Sequence, residues 1–392
     1  MRPQPALLRA AHQVLLVLAL VFATPALARA TPATQPAAIV SMAAGGFHTC
    51  TLLSTGAVRC WGNGASGQLG FGSVIPRIPS ANLAAISGVS TIAAGLFHTC
   101  ATTMAGLVYC WGENSDGQLG LGDTIDRASP IPVPGITDAV AVAAGFLHTC
   151  ALLSSGGVKC WGVDTEGELG TGSGLGANPS SPTPVDVLGL GDTATALASG
   201  SFHTCVLLSG GGVKCWGKND RGQLGDGTTV SGGLPVSVAG MTGVRQIVTN
   251  INSSCVLTIE AGVRCWGSNY NGELGNGGPR TSSPTPVDVT GLSGNVASIS
   301  TSAFFICALL TTGGVRCWGD DGSGQLGDGG AIESNTFSNV PVDVLGVTNA
   351  THIATGYYHA CAALDTGEVR CWGDNAYYQL GTTGVTKSST PL

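Results

Sequence analysis

The sequence predicts an all-β chain, a seven-bladed β-propeller of four-stranded antiparallel blades. Three observations carry that reading. Fourteen cysteines fall into seven pairs with one constant internal spacing, and each pair is followed at once by one of the seven tryptophans. The composition is glycine-rich and charge-poor: 61 of 392 residues are Gly and 10% are charged, against roughly 25% charged in an ordinary domain. No stretch after the N-terminal apolar run sustains a 3.6-residue apolar period, and Gly at this density costs a helix roughly 1 kcal/mol per site relative to Ala. At 43% hydrophobic residues the chain has too much apolar material for disorder. Its formal net charge of −7 lacks the basic face of a nucleic-acid binder.

In chain order, the first element is an address. Met1 to Gln13 carries Arg2 and Arg9 and no acid, and Val14 to Ala23 is an unbroken apolar run. Ala26-Leu27-Ala28 and Ala28-Arg29-Ala30 then offer small-x-small cleavage sites. This predicts a secretory signal peptide over residues 1–28, a short linker over 29–37 and the propeller over 38–392. The run is shorter than the about 20 residues a spanning helix needs, so no membrane span is expected after cleavage. An uncleaved anchor is the competing reading. The mature chain is expected to be secreted, periplasmic or on the cell surface, where cysteines oxidise.

The repeat comes next. The cysteines are Cys50 and Cys60, Cys100 and Cys110, Cys150 and Cys160, Cys205 and Cys215, Cys255 and Cys265, Cys307 and Cys317, Cys361 and Cys371. The pairs recur every 50 to 55 residues. The third copy holds four short Val-, Leu- and Thr-rich segments bounded by turn residues: Val140–Ala144, His148–Leu153, Gly157–Trp161 and Pro182–Val187. Four strands in about fifty residues suit a propeller blade better than a β-solenoid rung. One such sheet cannot bury both faces alone; radial neighbours cover it.

Between Cys50 and Cys60 lies Ser54-Thr55-Gly56, a hairpin loop with Gly supplying positive φ. A register symmetric about Thr55 places Cys50 opposite Cys60, within disulfide reach. Each blade is therefore expected to carry one local disulfide. Zinc-like ligation by His48, Cys50 and Cys60 is the alternative. Against it, the copies with Cys255 and Cys307 carry Ser253 and Phe305 at the histidine position yet keep both thiols. No metal and no cofactor are expected. The repeat histidines His48, His98, His148, His203 and His359 are expected to bond backbone of a neighbouring loop.

Ala-Ala-Gly-x-x-His-Thr, followed by Gly-x-Val-x-x-Trp-Gly-x-Asn-x-x-Gly-Gln-Leu-Gly, resembles the repeat of the regulator of chromosome condensation family. The resemblance runs over residues 38 to 392 and implies a seven-bladed propeller. WD-repeat and kelch signatures are missing. The cysteine pair lies outside the general family pattern and suggests a secreted, bacterial-type version. Thr390-Pro391-Leu392 aligns with Thr183-Pro184-Val185, so the last copy is expected to lack most of its fourth strand. Pro36 to Met42 is then expected to pair with the final blade and close the ring.

Positions that differ between copies are where a partner is read. The two residues before the histidine site are Gly46-Phe47, Leu96-Phe97, Phe146-Leu147, Ser201-Phe202, Ile251-Asn252, Ala303-Phe304 and Tyr357-Tyr358. They predict a ring of aromatics at one mouth of the channel, either a protein-binding rim or packing between blades. Tyr377 and Tyr378 join them, standing where other copies carry a pre-Gln glycine. The copies reading VTNINSSC and STSAFFIC lose the Ala-Ala-Gly-x-x-His block, which marks either a specialised sector from copy five to seven or drift. Asp320, Asp321 and Asn375 read as turn residues, and Gly225-Asp226-Gly227 as a turn rather than a phosphate cradle.

The expectation is a monomeric, non-enzymatic binding scaffold presenting loops to a protein, or to a glycan. Resemblance to a secreted propeller family implies the alternative of an extracellular enzyme inhibitor, as in β-lactamase inhibition. Resemblance to the family's eukaryotic members implies guanine-nucleotide exchange. A hydrolase would need convergent acids that no copy supplies.

Overall fold

Each Val-, Leu- and Thr-rich segment becomes a strand, and each glycine cluster becomes the turn that reverses it. The computed structural model describes residues 37–76, 82–83, 85–173, 180–292, 294–333 and 336–392. The expected signal peptide and nearly all of the linker lie outside the described residues. In the third blade the strands are Ala139–Ala144, His148–Leu153, Val158–Val163 and Ser180–Asp186. Each pairs antiparallel with its sequence neighbour, in order from first to fourth. The same order repeats in the other four-stranded sheets. The first blade has three strands among the described residues, Ile39–Ala44, His48–Leu53 and Val58–Gly62, with further bonds from Leu83 N–H to Val58 O and from Arg59 to Asn82 Oδ1. The fold is an all-β, seven-bladed propeller with mostly four-stranded antiparallel blades.

The hairpin register is the one the cysteine spacing requires. Cys50 stands opposite Cys60 and Thr49 opposite Trp61. Gly56 reverses the chain at φ 77°, a conformation that favours glycine. All seven cysteine pairs are bridged inside their own blade, with Cα atoms 4.1 Å apart in the first.

The core lies between blades, not within them. The second strand is buried along its whole length, as His48–Leu53 shows, because a neighbouring sheet covers each of its faces. Cys150, Leu152, Val158 and Cys160 of blade three pack on Val206 and Trp216 of blade four. The last seam repeats the arrangement: Trp61 of blade one packs on Cys361, Cys371 and Leu380 of blade seven. Each fully buried Trp withdraws roughly 150–250 Å² from water, worth on the order of 4 kcal/mol.

Ring closure differs from the sequence expectation. Ile39–Ala44 pairs with His48–Leu53 in the first blade, and the last sheet takes its fourth strand from Lys387–Ser388. Leu392 and Cys371 exchange both backbone bonds, at 2.9 and 3.3 Å, as the alignment of Leu392 with Val185 requires. The described part of the N-terminal segment therefore packs beside the final blade without joining its sheet. The reason is register: the innermost position of blade one already has a partner in its own second strand, and the outer edge of blade seven is occupied by its own chain. No helix among the described residues is long and apolar enough to cross a membrane.

Candidate binding face at the channel mouth

In five of the blades the loop before the second strand is built around a glycine with no room for a side chain; blades five and six carry Asn250 and Ser302 there. Gly45 N–H donates to His48 O at 2.9 Å, and a Cβ on Gly45 would lie 2.4 Å from both Gly95 O and the His48 ring. The turn after each third strand adjoins this loop, since Asn63 N–H donates to Phe47 O at 2.8 Å. Both sets of loops thus share one end of the propeller.

In five of the seven blades a side-chain latch fixes this loop to the next blade. His48 Nε2 lies 2.8 Å from the Thr99 hydroxyl of blade two. That hydroxyl donates its hydrogen to Gln68 O, at 2.8 Å, so the imidazole must be the Nε2–H donor. Trp111 Nε1–H donates to the same carbonyl at 2.8 Å. The chain of bonds runs from blade one to blade two and back. It recurs as His98–Thr149, His148–Thr204, His203–Ser254 and, across the closing seam, His359–Thr49. Burial holds the His48 pKa down at about 3, with a smaller contribution from nearby His359, so the ring is neutral. The expected backbone partner for these histidines is thus a side-chain hydroxyl instead, because the second strand of the next blade presents Thr or Ser within reach. Loop-facing carbonyls such as Gln68 O are taken by Thr and Trp.

Above the latches the predicted aromatics meet in one cluster. Tyr357 is its centre: it lies 5.9 Å from Phe47, 6.3 Å from Phe146, 5.7 Å from Phe304 and 4.9 Å from Tyr358 between ring centroids. Phe47 stacks on Phe97 at 5.7 Å and meets Tyr377 edge-on at 5.4 Å; Phe146 stacks on Phe202 at 5.8 Å. Phe47 belongs to blade one, Phe146 to blade three and Tyr357 to blade seven, so the rings reach across the mouth as well as along it. They are half-buried, while Tyr377 and Tyr378 are exposed. Burial raises the Tyr357 phenol above its ordinary pKa, with Tyr358 adding to the effect. Tyr378 makes no ring contact in the cluster and stands out from the turn of blade seven. Beneath the cap lies a cavity of about 90 Å³ lined by Phe146, Thr249, Asn250 and Tyr357, and below it the channel widens to about 380 Å³ between first strands such as Ser41–Ala44.

Around the cap, the outer turns differ from blade to blade. The two positions before the pre-Gln glycine read Ala65-Ser66, Ser115-Asp116, Thr165-Glu166, Asp220-Arg221 and Tyr270-Asn271 in the first five copies. Arg221 lies 4.9 Å over the Tyr270 ring and donates to its hydroxyl. Arg280 donates to Tyr270 O at 3.0 Å and lies 4.3 Å over the Phe337 ring. Sequence reading missed these four, although the rule that copy-variable positions read partners would have reached Arg221 and Tyr270. Two of the three expected turn residues act as such: Asn375 Oδ1 accepts from Leu380 N–H at 2.9 Å, and Asp321 Oδ1 from Leu326 N–H at 3.0 Å; Asp320 instead ends the strand Val315–Asp320 and pairs with Phe337. Gly225 and Gly227 hold φ of 71° and 90° in their turn.

With this geometry in place, the comparisons are specific. The Regulator of chromosome condensation (RCC1) repeat matches residues 105–152, 211–257, 260–309 and 312–363, and a second form of it matches 39–68, 89–118, 139–168, 194–223, 296–325 and 350–379. The chain belongs to the RCC1 repeat family. It is 31% identical over 201 residues to the human E3 ubiquitin-protein ligase HERC2, covering 50% of this chain and 4% of that protein. It is 27% identical over 204 residues to the Arabidopsis thaliana ultraviolet-B receptor UVR8, covering 50% of this chain and 44% of that one. The chain thus spans under half the length of these curated relatives. Among solved structures, yeast RCC1 (Prp20) bound to Kap60 superposes with a TM-score of 0.75 at 22% identity, over 91% of this chain and 84% of that one. Human WBSCR16 gives 0.75 at 23% identity, over 85% and 92%. At these identities the likeness is one of fold: an RCC1-type propeller, a binding scaffold fold.

Proposed function

We propose that this chain is a secreted, non-enzymatic, monomeric scaffold that binds a protein through the face at the aromatic mouth of its channel. The observation behind this reading is the cluster centred on Tyr357, whose half-exposed rings, Phe304 apart, sit on loops fixed by the histidine latches. Aromatic side chains on rigid loops bury area on binding with little further loss of freedom. Seven disulfides in a chain with no free cysteine among the described residues support an oxidising compartment. Inhibition of an extracellular enzyme is the second reading. It draws support from a mouth filled by rings rather than left open, a surface suited to covering a partner's site.

The test is a Phe97→Ala, Phe146→Ala, Tyr358→Ala triple variant, compared with wild type in capture from the native secretome and in thermal melting. The expected result is loss of capture with a small change in melting temperature. Lower stability with capture intact would assign the rings to packing.

A further inference from the structure

We propose that the rim formed by Arg221, Tyr270, Arg280 and Phe337 docks a carboxylate-rich segment of a partner protein, a proposal that rests on the channel-mouth end being the binding face. The four side chains come from three successive blades and alternate cation with ring. Arg221 and Tyr270 occupy the outer turns of blades four and five. Arg280 precedes the fourth strand Ser283–Asp288 of blade five, and Phe337 opens the fourth strand Phe337–Asp343 of blade six. Ser283 pairs with Gly267 and Phe337 with Asp320, so both lie at the same end of their sheets as the aromatic cap.

Charge and geometry both point to a carboxylate partner. The chain as a whole carries −7, yet Lys218, Arg221 and Arg280 gather in this sector, beside the carboxylates of Asp220 and Asp320. Asp220 is the one carboxylate shared by Lys218 and Arg221, at 3.8 and 3.9 Å, and Arg280 makes no ion pair among the described residues. Tyr270 is 51% exposed and Phe337 40%. Each guanidinium lies over a ring and spends one N–H on Tyr270, Arg221 on its hydroxyl and Arg280 on its carbonyl, which leaves further N–H groups for a carboxylate. In each pair the guanidinium also covers a ring face on which a sugar would stack, so the geometry favours an acidic peptide segment over a glycan. The exposed arginine and aromatic pairs are the side-chain types that dominate protein interfaces. The equivalent turn positions of blades two and three carry Asp116 and Glu166, so the chemistry is confined to one sector.

The test titrates the full chain with a labelled peptide alternating Glu and Leu, its Gln-for-Glu counterpart and polygalacturonate, at low ionic strength. The Arg221→Gln, Arg280→Gln variant changes only exposed side chains and is checked by its unaltered melt. Wild type is expected to prefer the Glu peptide by roughly tenfold, and the arginine variant to lose that preference. The Phe97, Phe146, Tyr358 triple variant is expected to keep it, which separates the rim from the central cap. Equal affinity for the Glu and Gln peptides, or an unchanged arginine variant, would overturn the rim while leaving the central reading to its own test. Tighter binding of polygalacturonate than of the Glu peptide, lost in the arginine variant, would overturn it in favour of a glycan.

Discussion

Glu168 occupies the turn position that is Gln68, Gln118, Gln223, Gln325 and Gln379 in other copies. Its Oε2 accepts from Glu166 N–H at 2.8 Å, while its buried Oε1 has no partner. Burial raises its pKa to about 7, and the carboxylates of Asp164 and Glu166 push the same way. The unfolded value lies near 4.5, so the folded chain binds the proton more tightly. This contribution to stability is therefore full below pH 4.5 and is lost as pH rises through about 7. Glu168→Gln keeps the acceptor for Glu166 N–H and removes the titration. Denaturant unfolding at pH 5 and pH 8.5 is expected to find the variant more stable at the higher pH, by up to about 3 kcal/mol; parallel curves for the two proteins would contradict this. Tyr378 poses the opposite residue-scale problem, since the sequence flagged it but could not explain it. It holds φ 66° where six other copies have glycine at positive φ. In those copies the next blade's fourth strand presses on the turn: a Cβ on Gly117 would lie 2.6 Å from Pro182 Cα, and one on Gly222 2.5 Å from Pro284 Cα. In blade seven the position is open to solvent, with Tyr378 42% exposed, and a tyrosine is accommodated. Thermal unfolding is expected to find Gly117→Ala destabilising by about 2 kcal/mol or more, because backbone must move. Tyr378→Gly should stay within about 1 kcal/mol of wild type, as relief of the left-handed tyrosine offsets the added freedom of the unfolded chain.

Between elements, the latch explains an irregularity that the sequence displays without its cause. The copies that replace histidine do so with Ser253 and Phe305, and the following copies replace the hydroxyl with Ile306 and Ala360. Donor and acceptor are thus lost together, one blade apart. Reading each column of the repeat by itself hides this, because the partners sit in different columns and different copies. The drift of copies five and six is therefore a change of joint rather than a loss of one. Phe305 and Ala360 pack in the same apolar cluster. Their seams also gain bonds from first strands: Gln246 donates to Ile299 O at 2.8 Å and accepts from Ile299 N–H at 3.0 Å, and Ser300 bonds the Thr355 hydroxyl at 2.9 Å. The Trp-to-carbonyl bond persists in both seams, Trp318 to Glu273 O and Trp372 to Gln325 O. A prediction belongs to this scale. Thr149→Ala leaves the buried His98 Nε2–H unpaired and is expected to cost about 1–3 kcal/mol. Adding His98→Phe recreates the pairing that Phe305 and Ala360 already use. A double-mutant cycle by denaturant unfolding should then find the pair less costly than the sum of the two single changes; simple additivity would mean that the histidine and threonine act independently.

For the whole molecule, the blade count, strand order and disulfides were legible because a sevenfold repetition imposes them locally, and each cysteine pair reports its own hairpin register. Closure was not legible, because it depends on residues more than 300 positions apart that no local pattern connects. The structure closes by repeating the joint used elsewhere. His359 and Thr49 supply the latch, Trp61 donates to Gln379 O at 3.0 Å, and the Thr49 hydroxyl lies 3.2 Å from the same carbonyl. The last strand does a different job. Ser389 O accepts from Gly329 N–H at 2.9 Å, and a Cβ on Gly324 would lie 2.8 Å from Ser389 Cα, so this strand ties blade seven to blade six. Two lesions should therefore act on different seams. Deleting residues 387–392 is expected to leave the ring closed, with an unchanged radius of gyration in X-ray scattering and faster amide exchange in blades six and seven. Thr49→Ala with Trp61→Ala removes both donors to Gln379 O and an indole from the closing core. That variant is expected to speed exchange in blades one and seven and to enlarge the scattering radius as the ring springs open. If the deletion enlarged the radius as much as the double substitution, closure would run through the final strand, and the side-chain joint between first and last blades would be secondary.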